Sequence, residues 1–234
     1  MLDTGFPRPV GDIGNPLSFA ERVAYEKVPA ATLDSVVMGD PRELSLLDGF
    51  VTARDRLVAA GGKIITTSCG LLVFHQTRLQ QGCPVPFTAS ALFQIPLRQA
   101  QLGGRVGVIG LQAAGITPAH LVAVGAPADT PVAGLPEDGH LLSVLRANDP
   151  TIAADPDRAS AELLGAGRAL MAQASDLGGI VLECTNLRPY RTVLDRALDI
   201  PVFDYMDWLV AVNNKEAAVD GTSPLKGFAR RTYI

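Results

Sequence analysis

Two cysteines occupy matching places in this chain. The run 63–67 is a compact β-branched strand that leads into Ser68-Cys69-Gly70 and then a helical pattern. The run 179–183 leads into Cys184-Thr185-Asn186 and another helical pattern. The two thiols are 184 − 69 = 115 residues apart, about half of the 234-residue chain. A cysteine at a strand-to-helix turn lies beside unpaired helix N–H groups, which favour thiolate over thiol and can hold a substrate carboxylate. Inverting a carbon next to a carboxylate needs a base on one face and an acid on the other, with roles exchanged in reverse. Two matched thiols supply that symmetry. Many free cysteines are inert buried hydrophobes, and Cys83, in a loop between Gly82 and Pro84, is read that way.

The rest of the composition narrows the classes. Three cysteines without a C-x-x-C pair indicate free thiols, not a disulfide framework or a structural zinc site. His75, His120 and His140 are scattered, so no metal is implied. The glycines Gly104, Gly107 and Gly110 flank or sit inside a strand and fail the dinucleotide-binding context, no serine sits in a nucleophile elbow, and no cofactor is expected. Net charge is −4 with no basic run, which argues against nucleic acid. There is neither a span-length apolar run nor a signal peptide, so no membrane partner is expected and the default location is cytoplasmic. Arg191 and Tyr190, seven and six residues past Cys184, are read as surface or lobe-packing residues, with Arg191 gripping a distal carboxylate as the alternative.

Positioning the thiols requires alternating short strands and longer helices, the pattern of parallel α/β architecture. Extended segments are expected at 23–28 and 35–38, a helix at 42–60, and strands at 63–67, 85–89, 105–109, 179–183 and 201–203. Helices are expected from Gly70 to about 81 and at 92–101, 157–176, 188–198 and 205–218, with 125–156 as loop plus one short helix. The echo around the cysteines predicts an α/β fold of two similar lobes, each a short parallel sheet flanked by helices. Ligands of such sheets sit beyond the carboxyl ends of the strands, so the active site is expected in the cleft between the lobes.

Thr66-Thr67-Ser68-Cys69-Gly70-Leu71 and Glu183-Cys184-Thr185-Asn186-Leu187 resemble the paired cysteine motifs of the aspartate/glutamate racemase superfamily, and Met1-Leu2-Asp3-Thr4-Gly5 resembles its N-terminal strand and Asp-Ser-Gly. The resemblance implies a cofactor-independent racemase or epimerase acting on an acidic amino acid or similar small carboxylate. Cys69 and Cys184 would be its two bases. Asp3 and Thr4 would lie beside the substrate amino group and the first thiol, Thr185 would help hold the carboxylate, and Ser68, Gly70 and Asn186 would complete the binding site. The first lobe would comprise 1–99 and 201–234, with strand 201–203 returning to it, and the second 100–200. A homodimer or larger assembly, as is common among such relatives, is also expected.

The motifs depart from those of glutamate racemases in two places. Gly70-Leu71 replaces Asn-Thr, and Asn186 stands where many racemases carry a histidine. Cys-Thr-Asn is similar to the maleate cis-trans isomerase motif and Ser-Cys-Gly to that of arylmalonate decarboxylases, which leaves isomerisation and decarboxylation as alternatives. A small-carboxylate-binding protein without turnover is a third. Met1-Leu2 is shorter than the family's usual apolar first strand, which suggests a trimmed start, and Gly11-Asp12-Ile13-Gly14-Asn15-Pro16 resembles a feature of a less characterised branch.

Overall fold

Runs of β-branched and aliphatic residues build two parallel sheets. The computed structural model describes residues 1–33, 36 and 46–216. The segment expected at 35–38 lies outside the described residues apart from Val36, as do the first residues of the helix expected at 42–60, the end of the one expected at 205–218, and the tail from Gly221. In the first lobe, β1 (Ile65–Thr66) pairs in parallel with β2 (Phe87–Thr88), in register Ile65 to Phe87. In the second, β3 (Arg105–Gly110), β4 (Val132–Gly134), β5 (Leu177–Leu182) and β6 (Val202–Phe203) form a parallel sheet in the order β4-β3-β5-β6. Val106, Val108 and Ile109 on β3 and Ile180, Val181 and Leu182 on β5 are almost wholly buried. A strand with apolar residues on both faces must be covered by helices on both sides.

The helices provide that cover. They are α1 (Leu47–Ala59), α2 (Gln76–Gln80), α3 (Ile95–Leu102), α4 (Pro118–Ala123), α5 (His140–Ala147), α6 (Pro156–Gln173), α7 (Thr192–Ala197) and α8 (Tyr205–Asn213). On α6, Asp155 caps the N-terminus by accepting from the amides of Asp157 and Arg158, with Pro156 at the first helical position. Its buried residues Ala159, Leu163, Ala166, Gly167 and Leu170 recur at three- and four-residue spacing and face the second core. Each fully buried leucine there contributes about 1.5–3 kcal/mol.

Two expectations about the elements are corrected. The region 125–156 contains a strand, β4, as well as helix α5; three residues are too few to show alternation against a Gly- and Pro-rich background. Strand 201–203 was expected in the first lobe, but β6 pairs with β5, and Val202 fills the second core. The return to the first lobe comes just after it. Tyr205, Trp208, Ala211 and Val212 of α8 belong to the first core, and the Trp208 indole N–H donates to the Thr88 hydroxyl at 2.6 Å.

The N-terminal segment runs extended beside the stretch expected at 23–28, without forming a regular strand. Val28 N–H donates to Met1 O and Asp3 N–H to Ala31 O. Leu2 N–H donates to the Ser68 hydroxyl at 3.1 Å, which ties the chain start to the first cysteine loop. Among the described residues, no helix is long and apolar enough to cross a membrane.

Candidate active site

The chain leaves β1 at Thr66 and turns at once. The Thr67 hydroxyl lies 2.9 Å from the carbonyls of both Cys69 and Ala89, which fixes the loop that presents Cys69. The chain leaves β5 at Leu182, and Glu183 N–H still reaches across to Ile109 O at 2.9 Å before Cys184 begins the second turn. The Thr185 hydroxyl donates to the Ser68 carbonyl at 3.4 Å, so the two cysteine loops touch. Both thiols line one cavity of about 460 Å³.

Six of the eight residues expected at the site line this cavity: Thr4, Ser68, Cys69, Gly70, Cys184 and Asn186. The other two do not. In the extended segment Leu2 and Thr4 point inward, so alternation turns Asp3 outward, where its half-exposed carboxylate approaches Lys27 at 3.9 Å. Thr185 is 1% exposed and spends its hydroxyl on Ser68, between the loops. The alternative role for Arg191 also fails, because Arg191 is not among the residues that line the cavity; its guanidinium sits with Asp195, Asp204 and Asp207. Cys83 is half-buried against the first core and is not among the residues that line the cavity.

Behind Cys184 runs a chain of polar contacts. Cys184 Sγ donates to Asn186 Oδ1 at 3.4 Å, and Asn186 Nδ2 donates to Asp12 Oδ2 at 2.6 Å. Asp12, fully buried, also accepts from Arg8 Nη1 at 2.8 Å and from Gly14 N–H at 2.6 Å. Arg8 Nη2 donates to Thr4 Oγ1, and its guanidinium lies 4.7 Å from the centre of the Phe6 ring. Arg8 is thereby held rigidly in the cavity wall, and Arg146 of α5 lines the same cavity. Gly11 makes the turn possible: its φ is +108°, and a Cβ there would meet Pro189 Cα at 3.0 Å.

The charge state of the thiols differs from expectation. Burial, reinforced by the carboxylate of Glu183, pushes Cys69 up to about 12, and the Leu71 amide offsets this only in part. Cys184 is raised as well, first by burial and then by Glu183. Both rest as neutral thiols. The helical turns that follow them are short, a 3-10 turn at Leu72–His75 and another at Arg188–Tyr190, so little dipole opposes the cost of burying a charge. Glu183 is itself buried, and desolvation raises its carboxyl to about 7.

Sequence reasoning missed Arg8, Arg146 and Glu183 as cavity residues and Asp12 as the support of Arg8 and Asn186. Glu183 was legible as the last residue of a strand and the first of the second cysteine motif, but nothing there marked it as a cavity residue. Asp12 carried a signal in the Gly11–Pro16 motif, whereas Arg8 and Arg146 carried none.

No family model matches the chain. By sequence it is similar to dimethylsulfoniopropionate lyase 5 of Emiliania huxleyi (strain CCMP1516), 27% identical over 214 residues, covering 87% of this chain and 42% of that protein. It is also similar to the dimethylsulfoniopropionate lyase of Durusdinium sp. clade D, 24% identical over 202 residues, covering 83% of this chain and 66% of that one. The chain thus spans about two fifths to two thirds of the length of these curated relatives. Among solved structures, a glycine-to-cysteine mutant of arylmalonate decarboxylase in a sulfate-associated form matches with a TM-score of 0.54 at 18% identity, covering 82% of this chain and 84% of that one. The chain has the α/β fold of arylmalonate decarboxylase, the fold expected of a relative of the aspartate/glutamate racemase superfamily.

Proposed function

We propose that this chain is an enzyme that moves protons at the carbon next to the carboxylate of a small substrate, with Cys69 and Cys184 as its acid–base pair. The observation that carries the reading is that both thiols line one cavity together with two arginines, Arg8 and Arg146. An arginine presents a fork of N–H donors that matches a carboxylate. With the carboxylate held, one cysteine, as thiolate, takes the α-proton and becomes a thiol, leaving a planar enolate. The other thiol returns its own proton to the opposite face and becomes a thiolate. The net result is racemisation or epimerisation, and the next turnover runs in the other direction.

A second reading draws on the curated relatives, which are dimethylsulfoniopropionate lyases. The same first step on a substrate with a leaving group at the β-carbon ends differently. The electron pair of the broken C–H bond forms the C=C bond, the C–S bond breaks, and dimethyl sulfide departs with the bonding pair. One thiol then holds the abstracted proton until solvent removes it.

A panel assay separates the two. L- and D-aspartate, L- and D-glutamate and dimethylsulfoniopropionate are each incubated with the protein, and enantiomer ratio and released dimethyl sulfide are measured. Racemisation supports the first reading and dimethyl sulfide release the second. Neither reaction above the rate of the C69S/C184S double variant on any of the five would count against both.

A further inference from the structure

Glu183 has a place in the cavity that the two-thiol reaction does not use. It sits beside both cysteine turns: it directly precedes Cys184, and its side chain fills the space over Gly70, the neighbour of Cys69. An ideal Cβ on Gly70 would meet Glu183 Oε1 at 2.2 Å and Glu183 O at 2.7 Å. Gly110 on β3 is the other close neighbour, where a Cβ would lie 3.4 Å from Oε2. The residue is 5% exposed and lines the cavity. No hydrogen bond or ion pair to its carboxyl occurs among the described residues. A buried carboxylate without a protein partner is expensive, and it is satisfied by a proton, by water or by a cation that enters the cavity.

The structure assigns Glu183, we propose, as the residue that recognises a positively charged group on the substrate, so that the cavity selects small zwitterions: a carboxylate for Arg8 or Arg146 and an onium cation, ammonium or sulfonium, for Glu183. The inference rests on the reading above that the cavity takes a small carboxylate. It accounts for Gly70, since any side chain there would displace the carboxyl. The thiols connect to it as well. The Glu183 charge raises both Cys69 and Cys184, so a cation seated on Glu183 offsets that repulsion and makes either thiol easier to ionise once substrate is bound.

The ionisable and charged groups facing Glu183 are Cys69 from the β1 loop, Cys184 beside it, and Tyr205 from α8, whose hydroxyl is raised first by burial and then, in small part, by Glu183. Arg8 and Arg146 share the cavity. None of the three acids ionises below Glu183, whose carboxyl titrates at about 7. At pH 6 it is about one tenth ionised and at pH 8 about nine tenths, so cation affinity should change by up to about tenfold across that interval.

Binding, not turnover, is the test. Calorimetric titration of wild type and E183Q with dimethylsulfoniopropionate, β-alanine and 4-methylpentanoate, the last an uncharged carbon isostere of the first at its sulfur, is run at pH 6 and pH 8. In wild type the zwitterions should bind five- to tenfold more tightly at pH 8, and the isostere no better at pH 8 than at pH 6. Preference for dimethylsulfoniopropionate names sulfonium, and preference for β-alanine names ammonium. In E183Q the pH dependence of the zwitterions should vanish and the isostere should gain. The wild-type pH series stands even where E183Q is unstable. Zwitterion affinity independent of pH, a folded E183Q that keeps the wild-type preference, or no probe bound at 10 mM would each overturn the proposal. Zwitterion binding with the expected pH dependence but no turnover of any substrate would leave it standing and count only against the catalytic reading.

Discussion

Cys69→Ser and Cys184→Ser probe the two thiols singly. Serine keeps the size of the side chain but does not ionise in the accessible range, so each variant should lose about 10²- to 10⁴-fold in reversible turnover, the worth of a positioned acid or base, with an unchanged circular dichroism spectrum. Retained racemisation in either folded variant would dismiss the two-base scheme. Because burial raises Cys69 to about 12, kcat/KM should climb with pH from neutral into the alkaline range, as the thiolate fraction grows.

Glu183 makes a separate prediction about stability. Its folded value of about 7 lies above the ordinary 4.5, so folding favours the protonated form. That stabilisation is full below about pH 4.5 and is lost as pH rises through about 7. At ~1.4 kcal/mol per pH unit the loss is about 3 kcal/mol. Urea unfolding at pH 5 and pH 8 should show most of this fall, about 2.5 kcal/mol, in wild type but not in E183Q, and an equal change in the two would contradict it. Gly70→Ala should cost about 1–3 kcal/mol, because its methyl group meets the Glu183 carboxyl and carbonyl. At this scale the thiols were legible from their matching turns, and Thr4, Ser68, Gly70 and Asn186 from their place in the motifs. Arg8, Arg146 and Glu183 were not, since a cavity wall assembled from residues 8, 146 and 183 has no local pattern. Nor was the neutral state of the thiols, which depends on burial that only the packed loops create.

The elements hold the site through a few long-range ties. The segment from Thr4 to Asn15 folds back on itself around Asp12 and reaches the second cysteine loop through Asn186. Asp12→Ala removes acceptors from Arg8, Gly14 and Asn186 at once and leaves the Arg8 charge buried without its partner. A loss of about 3–5 kcal/mol is expected, measured by urea unfolding; a loss under about 1 kcal/mol would show that the network is not structural. The longer elements were readable: β3, α6 and β5 fall within a few residues of expectation because their apolar runs are continuous or helically spaced. The short ones were not. β4 has three residues and β6 two, and which sheet a two-residue strand joins is decided by the core that Val202 fills, not by anything in its own sequence.

At the scale of the molecule, two apolar cores lie on opposite faces of the second sheet, Val106, Val108 and Val181 in one and Ile109, Ile180 and Leu182 in the other. One gathers residues of β1, β2, α1, α3 and α8, the other residues of β5, α5, α6 and α7. The chain enters the second sheet at Arg105 and leaves it after Phe203, and α8 then locks onto the first through Tyr205 and Trp208. A ligand that spans Arg8, the two thiols and Arg146 touches segments packed on both cores. It should therefore raise the melting temperature, with about 2.7 kcal/mol of added stability at a hundred times its Kd. A ligand that binds by calorimetry yet leaves the melting temperature unmoved would place its site elsewhere. The most direct measurement of the central claim is hydrogen exchange in deuterated buffer, followed by mass spectrometry and NMR, with the substrate that the panel identifies. Wild type should place deuterium at the carbon next to the carboxylate, in recovered substrate or in product, each single cysteine variant should do so at most from one face, and the C69S/C184S double variant should not do so at all. Deuterium incorporated by a folded double variant at the wild-type rate would contradict the claim that Cys69 and Cys184 move that proton.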